Sequence, residues 1–488
     1  MDRLRRRLRR AAATPLDRWR QRRRPVLSIV VPVYNGAEHL DEALRSIRRQ
    51  DYRRLDVVVI DDGSTDDSLA IARRHARADR RVTVLSQANA GVGAARRAAV
   101  AAATGTYLTF VDADDTVTRG GIRAAMDGLE TSGSDLAVMP YQRLEPTGLK
   151  PAAPWIRALH ARPESRTSLA ERPDVLVNAI ACAKIFRRTF WDAQALEFPT
   201  VLLAGDQIVT ARAYRDADGI DICGTTAYDW RRMESSISQG QVTAQAVHAR
   251  FDAIDAVLDL LADLPDVRAE RALQYLRYNV PNSTLKLERA DDAYLDALVE
   301  RVPRVVAAAP AGRYAAEVPA QHRVLNTLLT AGDRDAVWRF VRAEGMQPEM
   351  HPSAEEPAGF TVHLPGWGVD DVPAEAYVLT AEQTQARAVV RAARHDGPDL
   401  VLDVAAWFTN VEPSSPSLSV KTDGDLVDVV QWGEPQVVTS RQGAQRRYAR
   451  SAWAVTLRGA ARRAPRTVTV TLVDGPRSGT VTARIPHP

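Results

Sequence analysis

The sequence predicts an open, doubly wound α/β sheet in its N-terminal half, followed by an α-helical linker and a C-terminal all-β sandwich. Three changes of pattern carry this reading. From residue 26 to 111, short Val- and Ile-rich runs alternate with amphipathic stretches, as in a mostly parallel sheet with helices on both faces. From 243 to 348 the apolar period is helical, with helices expected over 247–264, 267–287, 291–305 and 320–344 and short Pro-containing connections. Beyond 357 the period falls to two, with strands expected over 360–364, 376–379, 386–392, 399–408, 418–421, 426–431, 436–438, 452–457 and 467–473, and Gly and Pro separate the runs. A chain of 488 residues exceeds one ordinary core. The divisions expected are a basic arm at 1–24, the α/β domain at 25–242, the helical linker at 243–350 and the β domain at 351–488.

Composition narrows the function classes. The net charge of +4 is unevenly placed, with eleven arginines among the first 24 residues. Leu4, Leu8 and Ala11 share one helical face in this arm, and Leu16 and Trp19 follow Pro15. A basic amphipathic helix of this kind suits an anionic membrane surface, and a solubilising tail has the same composition. No groove-reading or base-stacking motif follows it, so no nucleic-acid partner is expected. Cys182 and Cys223 make neither a disulfide framework nor a metal site, which fits a reducing compartment. No run approaches the ~20 apolar residues of a membrane span, and no apolar signal-peptide core follows the basic start. The expected location is the cytoplasm, at the inner face of the plasma membrane where the arm makes peripheral contact.

The α/β domain opens with a strand over 26–32, a loop at Tyr34-Asn35-Gly36 and a helix over 38–50 with Leu40, Ala43, Leu44 and Ile47 inward. A strand over 55–60, the turn Asp61-Asp62-Gly63-Ser64-Thr65-Asp66 and a helix over 68–78 come next. After a strand over 82–85, Asn89-Ala90-Gly91-Val92-Gly93 leads into an alanine-rich helix. The following strand, 106–111, breaks into Asp112-Ala113-Asp114-Asp115. In such a sheet ligands bind beyond the carboxyl ends of the strands, and all four ends here are polar. Three carboxylates within four positions repel one another unless a cation or a sugar hydroxyl lies between them. Hard oxygen ligands suit Mg²⁺ or Mn²⁺, while an acidic turn whose Asp115 or Thr116 caps the next helix reads the same way. Ser64 and Asp66 are expected to cap the helix after them. Gly91-Val92-Gly93 is not a dinucleotide fingerprint, lacking the third glycine; Arg96, one turn later, is placed to reach a phosphate.

Four stretches in order, Ile29-Val30-Val31-Pro32-Val33-Tyr34-Asn35, Asp61 to Asp66, Asn89 to Arg96 and Asp112 to Asp115, resemble the signatures of family 2 glycosyltransferases with the GT-A fold. The third departs slightly, ending Ala95-Arg96-Arg97 where Ala-Arg-Asn is usual. The resemblance implies that Pro32, Tyr34, Asp61, Asp62 and Asn89 line a nucleotide pocket, with an aspartate of the second turn on the base. It places Asp112 on ribose and Asp114 on a divalent metal, Mg²⁺ or Mn²⁺, that bridges the diphosphate, with Asp115 nearby.

Beyond the acidic turn we expect a helix to about 131 and a strand over 135–141. Loop-rich residues 142–173, with Trp155 and His160, would then wall the acceptor side. Residues 178–191 resemble an acceptor- or diphosphate-recognising segment; Lys184 within it faces either the site or solvent. Asp206, in Leu202-Leu203-Ala204-Gly205-Asp206, matches the family's catalytic base, with Gly205 where a glutamate is usual. Tyr228-Asp229-Trp230-Arg231-Arg232 and the serines after Met233-Glu234 resemble the stretch that closes over the diphosphate. That makes Arg231 or Arg232 a phosphate contact, although a basic surface strand fits as well. Arg277, Tyr275 and Tyr278 of the linker extend an acceptor groove or simply pack helices. Trp367, Trp407, Trp432 and Trp453 of the β domain are core or carbohydrate-stacking residues.

The order of domains is similar to that of the wall teichoic acid glycosyltransferases that decorate poly(ribitol phosphate). It implies a C-terminal domain that drives trimerisation. The function expected is metal-dependent, inverting transfer of a sugar from a nucleotide-diphosphate donor, a UDP-sugar, to a polymeric or lipid-linked surface glycan. Gly205 motivates the alternative, a glycan-binding scaffold on a catalytically impaired fold.

Overall fold

The computed structural model describes residues 24–199, 204–232 and 242–411, and beyond them the strands of the C-terminal region without loops 412–415, 422–426, 432–435, 440–444, 449–450 and 461–465, residues 459 and 476, and the end at 487–488. The basic arm up to residue 23, Leu202-Leu203, Met233 to Ile237 and Trp432 therefore lie outside the described residues. The chain divides into two compact units, 1–274 and 275–488, a split that falls inside the segment read as one linker.

In the first unit the leading strands are β1 (Leu27–Val33), β2 (Leu55–Asp61), β3 (Val82–Ser86) and β4 (Tyr107–Phe110). β5 (Thr116–Val117), β6 (Leu136–Val138), β7 (Tyr141–Glu145) and β8 (Gly148–Pro151) come next, then β9 (Glu164–Thr167), β10 (Lys184–Arg187), β11 (Ile220–Ile222) and β12 (Tyr228–Arg231). The large sheet has the order β3-β2-β1-β4-β10-β6-β11-β9. Its first four strands are parallel, but β10 runs antiparallel to both neighbours and β9 antiparallel to β11. The alternating strands are thus parallel as the sequence predicted, and the antiparallel β10 and β9 make the sheet as a whole mixed. Helices Gly121–Ser132 and Gly205–Asp216 still lead into β6 and β11, which are parallel to each other, whereas β10 follows loop and a 3₁₀ turn, Pro173–Val177, and enters antiparallel.

β1 is buried along its whole length because both faces are covered. The covering helices include α1 (Ala37–Arg48), α2 (Ser68–Ala78) and α3 (Val92–Ala102). The chain runs outward through β2 and β3, then returns to the other side of β1 as β4. That reversal leaves a crevice at the strand ends, the usual ligand position in open α/β sheets. A second sheet, β5-β12-β7-β8, lies beside the acidic turn, with Tyr228 opposite Val117 and Asp229 opposite Thr116. The stretch 142–173, expected to be loop, holds most of the β7–β8 hairpin and helix α4 (Pro154–His160). Helix Gly121–Ser132, expected after the acidic turn, the short helix Arg188–Ala193, α5 (Gly205–Asp216), α6 (Ala244–Leu260) and α7 (Pro265–Gln274) also belong to the unit.

The second unit begins with a π-turn, Tyr275–Asn279, and short helix α8 (Val280–Thr284), where Pro281 interrupts the single helix expected over 267–287. Helices α9 (Asp292–Ala307), α10 (Ala311–Glu317), α11 (Ala320–Ala331) and α12 (Arg334–Arg342) follow. The last two were expected as one helix and are separated by Gly332 in the left-handed conformation. The β part contains hairpin β13 (Ser353–Glu356) and β14 (Gly359–Val362), then β15 (Ala386–Asp396), β16 (Asp399–Phe408), β17 (Ser417–Lys421), β18 (Val427–Gln431), β19 (Gln436–Thr439), β20 (Gln445–Tyr448), β21 (Ala452–Leu457), β22 (Thr467–Asp474) and β23 (Arg477–Arg484). Sheets β15-β16-β21-β18 and β17-β22-β23 share one core that includes Leu402, Val404, Trp453, Val455, Val470 and Leu472. Trp453 is thus a core residue. Residues 376–379, expected as a strand, instead hold the end of a 3₁₀ turn, Ala374–Tyr377, that follows Pro373. Among the described residues no helix is long and apolar enough to cross a membrane.

Candidate active site

The acidic turn after β4 is held from one side by β12. The Tyr228 hydroxyl donates to Asp115 Oδ2 at 2.5 Å and accepts the Asp112 amide at 3.2 Å. The Arg231 amide donates to Asp115 Oδ1 at 2.6 Å. Its guanidinium reaches the Asp114 carbonyl at 2.6 Å and Glu42 at 2.7 Å. Asp115 is therefore buried with both oxygens occupied, and burial together with the Asp112 and Asp114 charges pushes its carboxyl upward. It acts as a post for the turn. Arg231, expected on a phosphate, is engaged with the turn itself; Arg232 beside it is exposed.

The other side of the turn is gathered by Arg96 on α3. This guanidinium is only 4% exposed and donates to Asp112 Oδ1 at 2.8 Å and to Asp206 Oδ1 at 2.5 Å. Burial opposes its charge, but Asp206 and Asp112 outweigh that and hold its pKa above the ordinary value. Phe198 covers it, ring centre 4.7 Å from the guanidinium carbon. Arg96, like Arg231, is thus paired with protein carboxylates where a phosphate contact was expected. Sequence alone could not show this, because its two partners approach from other elements. Asp206 stands in the first turn of α5, after Ala204 in the left-handed conformation, and its Oδ2 accepts the Ala181 amide at 3.1 Å. Arg271 of α7 bonds to Gln207 at 3.1 Å and to the Leu176 carbonyl at 2.7 Å, bracing that helix start. Lys184 faces neither solvent nor an open site. It is fully buried, its Nζ donating to the carbonyls of Asn178 and Ile180, and burial lowers it to about 7 against the pull of Asp206.

At the ends of β1 and β2 the two aspartates differ. Asp62 accepts from Gln87 at 2.7 Å and from the amides of Ala90 and Gly91 at 3.0 and 2.9 Å, so it fastens the loop before α3. Asp61 accepts only Ser86 Oγ at 3.3 Å, and its Oδ1 has no partner. Gly63 sits in the left-handed region with room for a Cβ only 2.9 Å from the Asn89 amide nitrogen, which brings these two loops together. Asn89 is exposed on that loop, Pro32 is buried in β1, and Tyr34 presents its ring at 51% exposure. Ser64, expected to cap α2, instead accepts the Asn35 amide at 3.0 Å across the crevice. Asp66 serves two helix starts, accepting the amides of Ala37 at 3.0 Å and Ser68 at 2.9 Å. Tyr228, Glu42 and Gln87 are the supporting residues that sequence reasoning missed. Only the aromatic character of the 228–230 stretch pointed to the first.

Residues 28–193 match the family model described as glycosyl transferase family 2. This domain is a family 2 glycosyltransferase domain. The chain is 27% identical over 304 residues to the poly(ribitol-phosphate) β-N-acetylglucosaminyltransferase TarS of Staphylococcus aureus, covering 57% of this chain and 51% of that protein. It is 30% identical over 226 residues to the putative glycosyltransferase EpsH of Bacillus subtilis, covering 44% and 63%. The chain thus spans between half and two thirds of these curated relatives. The crystal structure of S. aureus TarS matches 94% of this chain and 77% of its own, with TM-score 0.60 at 17% identity. TarS 1–349 in complex with UDP-GlcNAc matches 71% and 98%, with TM-score 0.54 at 22% identity. At these identities the likeness is one of fold: the family 2 sheet, the helical region and the C-terminal β sheets.

The metal that such a domain implies can be weighed against the residues present. Among the described residues no group of three or more His, Cys, Asp or Glu could hold an ion by itself. Asp114 remains for one, beside an Asp112 paired with Arg96, and burial and the Asp112 charge push the Asp114 carboxyl upward, a strain that a cation would relieve. This suits an ion that takes one or two carboxylates from protein and the rest from a diphosphate.

Proposed function

We propose that this protein is an inverting glycosyltransferase that moves a sugar from a UDP-sugar to a hydroxyl of a cell-surface glycan or teichoic-acid-like polymer. The observation that carries the reading is the Arg96 bridge. One buried guanidinium ties Asp112 of the acidic turn to Asp206, 110 residues beyond Arg96 in the chain, so donor-side acid and base share one site. In this reading Asp61 Oδ1 accepts the N–H of the uracil base, Tyr34 covers the ring, Pro32 and Asn89 complete the pocket, and Asp112 takes a ribose hydroxyl. Asp114 would hold Mg²⁺ or Mn²⁺, which supplies charge stabilisation to the departing diphosphate. Asp206 takes the proton of the acceptor hydroxyl as its oxygen bonds to the anomeric carbon from the face opposite the breaking bond to the diphosphate. The nucleoside diphosphate leaves with the bonding pair, and the configuration inverts. Arg96 and Ala181 fix the carboxylate's orientation, a role that lends itself to a site where Gly205 supplies no neighbouring acid.

The test is Asp206→Asn. Transfer is expected to vanish while UDP binding by calorimetry persists; retained turnover would sink the base assignment. The basic arm as a peripheral membrane contact, the β domain as a trimerisation module and the domain limits at 25–242, 243–350 and 351–488 belong to the same proposal. The first is supported by arginine density, the second by resemblance to the wall teichoic acid enzymes. Vesicle flotation and sedimentation velocity test these two.

A further inference from the structure

The second unit contains a cavity of about 580 Å³ whose lining combines Tyr278 of the π-turn with Trp407 on β16, Tyr448 on β20 and residues of the loops beside them. Its volume lies within the range of roughly 300–1,000 Å³ typical of small-ligand sites. Trp407 is the informative residue. Along β16 the core-facing positions are Leu400, Leu402, Val404, Ala406 and Phe408, all buried in the sandwich core. Trp407 falls on the alternate face and is only partly buried. Its cross-strand partner is Arg387, exposed on the same outward face. A tryptophan and an arginine side by side on the face turned away from the core contribute nothing to that core. Tyr448, itself buried and accepting the Asn410 amide, stands 6.2 Å from the Trp407 ring at 39° and backs it.

The polar part of the lining is chemically specific. Gln321, Gln383, Thr409 and Asn410 line it; the Gln383 amide nitrogen donates to Gln321, the Thr409 hydroxyl to the Gln385 carbonyl and the Asn410 amide nitrogen to the Gln383 carbonyl, which leaves Asn410 Oδ1 buried without a partner. Arg277 and Arg387 are matched in number by Glu349 and Glu382, so the lining has no excess of either charge. Flat aromatic faces next to amides and charge-balanced side chains match a ligand with apolar C–H faces and many hydroxyls, and do not match a polyanion.

We infer that this cavity is a binding site for a neutral saccharide unit, with Trp407 as the stacking platform. The site is built wholly within residues 275–488 and stands whether or not the transfer reading holds.

The experiment titrates the full chain with chitotriose as the neutral probe and with a ribitol phosphate oligomer as the anionic one, followed by calorimetry. Wild type is expected to bind chitotriose, with affinity lost at least tenfold in Trp407→Ala and in Tyr278→Ala. Trp407→Phe should keep most of it, and UDP affinity should change less than twofold in all three variants. Circular dichroism and unaltered UDP binding show that the variants are folded. Absence of chitotriose binding by wild type would overturn the inference. So would binding undiminished in Trp407→Ala or displaced by UDP, or a preference for the anionic oligomer that survives in Trp407→Ala.

Discussion

Replacing Arg96 by methionine tests the bridge on which the candidate site depends. Methionine refills much of the apolar volume beneath Phe198 but removes both charged hydrogen bonds, at 2.5 Å to Asp206 and 2.8 Å to Asp112. A hydrogen bond between charged groups contributes roughly 1.5–3 kcal/mol. The carboxylates keep 39% and 27% of their surface in solvent, which screens the loss and favours the low end of that range. The two bonds together then amount to about 3 kcal/mol. In a unit of this size that lowers Tm by roughly 6–12 °C. The sharper assay is a double-mutant cycle of Arg96→Met with Asp206→Asn, read by urea denaturation. Coupling of about 1–2 kcal/mol is expected, because removing either partner should already forfeit their shared bond. Additivity within about 0.5 kcal/mol, or a Tm shift below about 1 °C, would refute the bridge. UDP-sugar turnover should fall at least a hundredfold in Arg96→Met, since Asp206 loses the group that orients it.

Further outcomes follow from other contacts. Tyr228→Phe removes the hydroxyl that joins the Asp112 amide to Asp115; the donor KM should rise severalfold with uridine affinity unchanged, and an unaltered KM would free the turn from β12. Asp114→Ala should abolish the Mn²⁺-dependent part of UDP binding, and an identical Mn²⁺ titration would count against its ligand role. His160 gives a pH signature. Its Nδ1 lies 2.7 Å from the Cys223 carbonyl and Nε2 3.2 Å from the Asn178 amide nitrogen, so the ring is held neutral, and burial lowers it from 6.5 to about 4. Below pH 6.5 the unfolded chain takes up a proton that the folded one refuses, so stability falls with pH between 6.5 and 4. The loss from pH 7 to 5.5 should be about 1 kcal/mol. His160→Gln should flatten that slope, and an unchanged slope would show that another group controls it.

Much of the first half of the fold was legible in sequence for local reasons. Strands β1 to β4 and helices α1 to α3 follow from hydrophobic period, and the polar residues at the strand ends follow from where those strands stop. In the second unit the bounds of β16 and β21 match those expected, because each is a short apolar, β-branched-rich run with a buried face. Where local pattern and topology part, the reading failed. β10 enters the sheet antiparallel, the 3₁₀ turn at Ala374–Tyr377 replaces a strand, and a left-handed Gly332 divides a helix that periodicity joins.

For the site, the sequence determined which residues carry charge, and the motif order placed Asp61, Asp112, Asp114 and Asp206 in one family's pattern. It could not decide which of them are free to act. Asp61 and Asp62 are adjacent in the chain, yet Asp62 spends both oxygens on the loop before α3 and Asp61 keeps one oxygen unpartnered. Arg96 and Arg231 read as phosphate contacts because guanidinium groups near a nucleotide pocket suggest anions. Folding supplies them with carboxylates from remote segments instead. Whether a charged group is committed or available depends on partners brought in by long-range contacts, and sequence spacing does not carry that information.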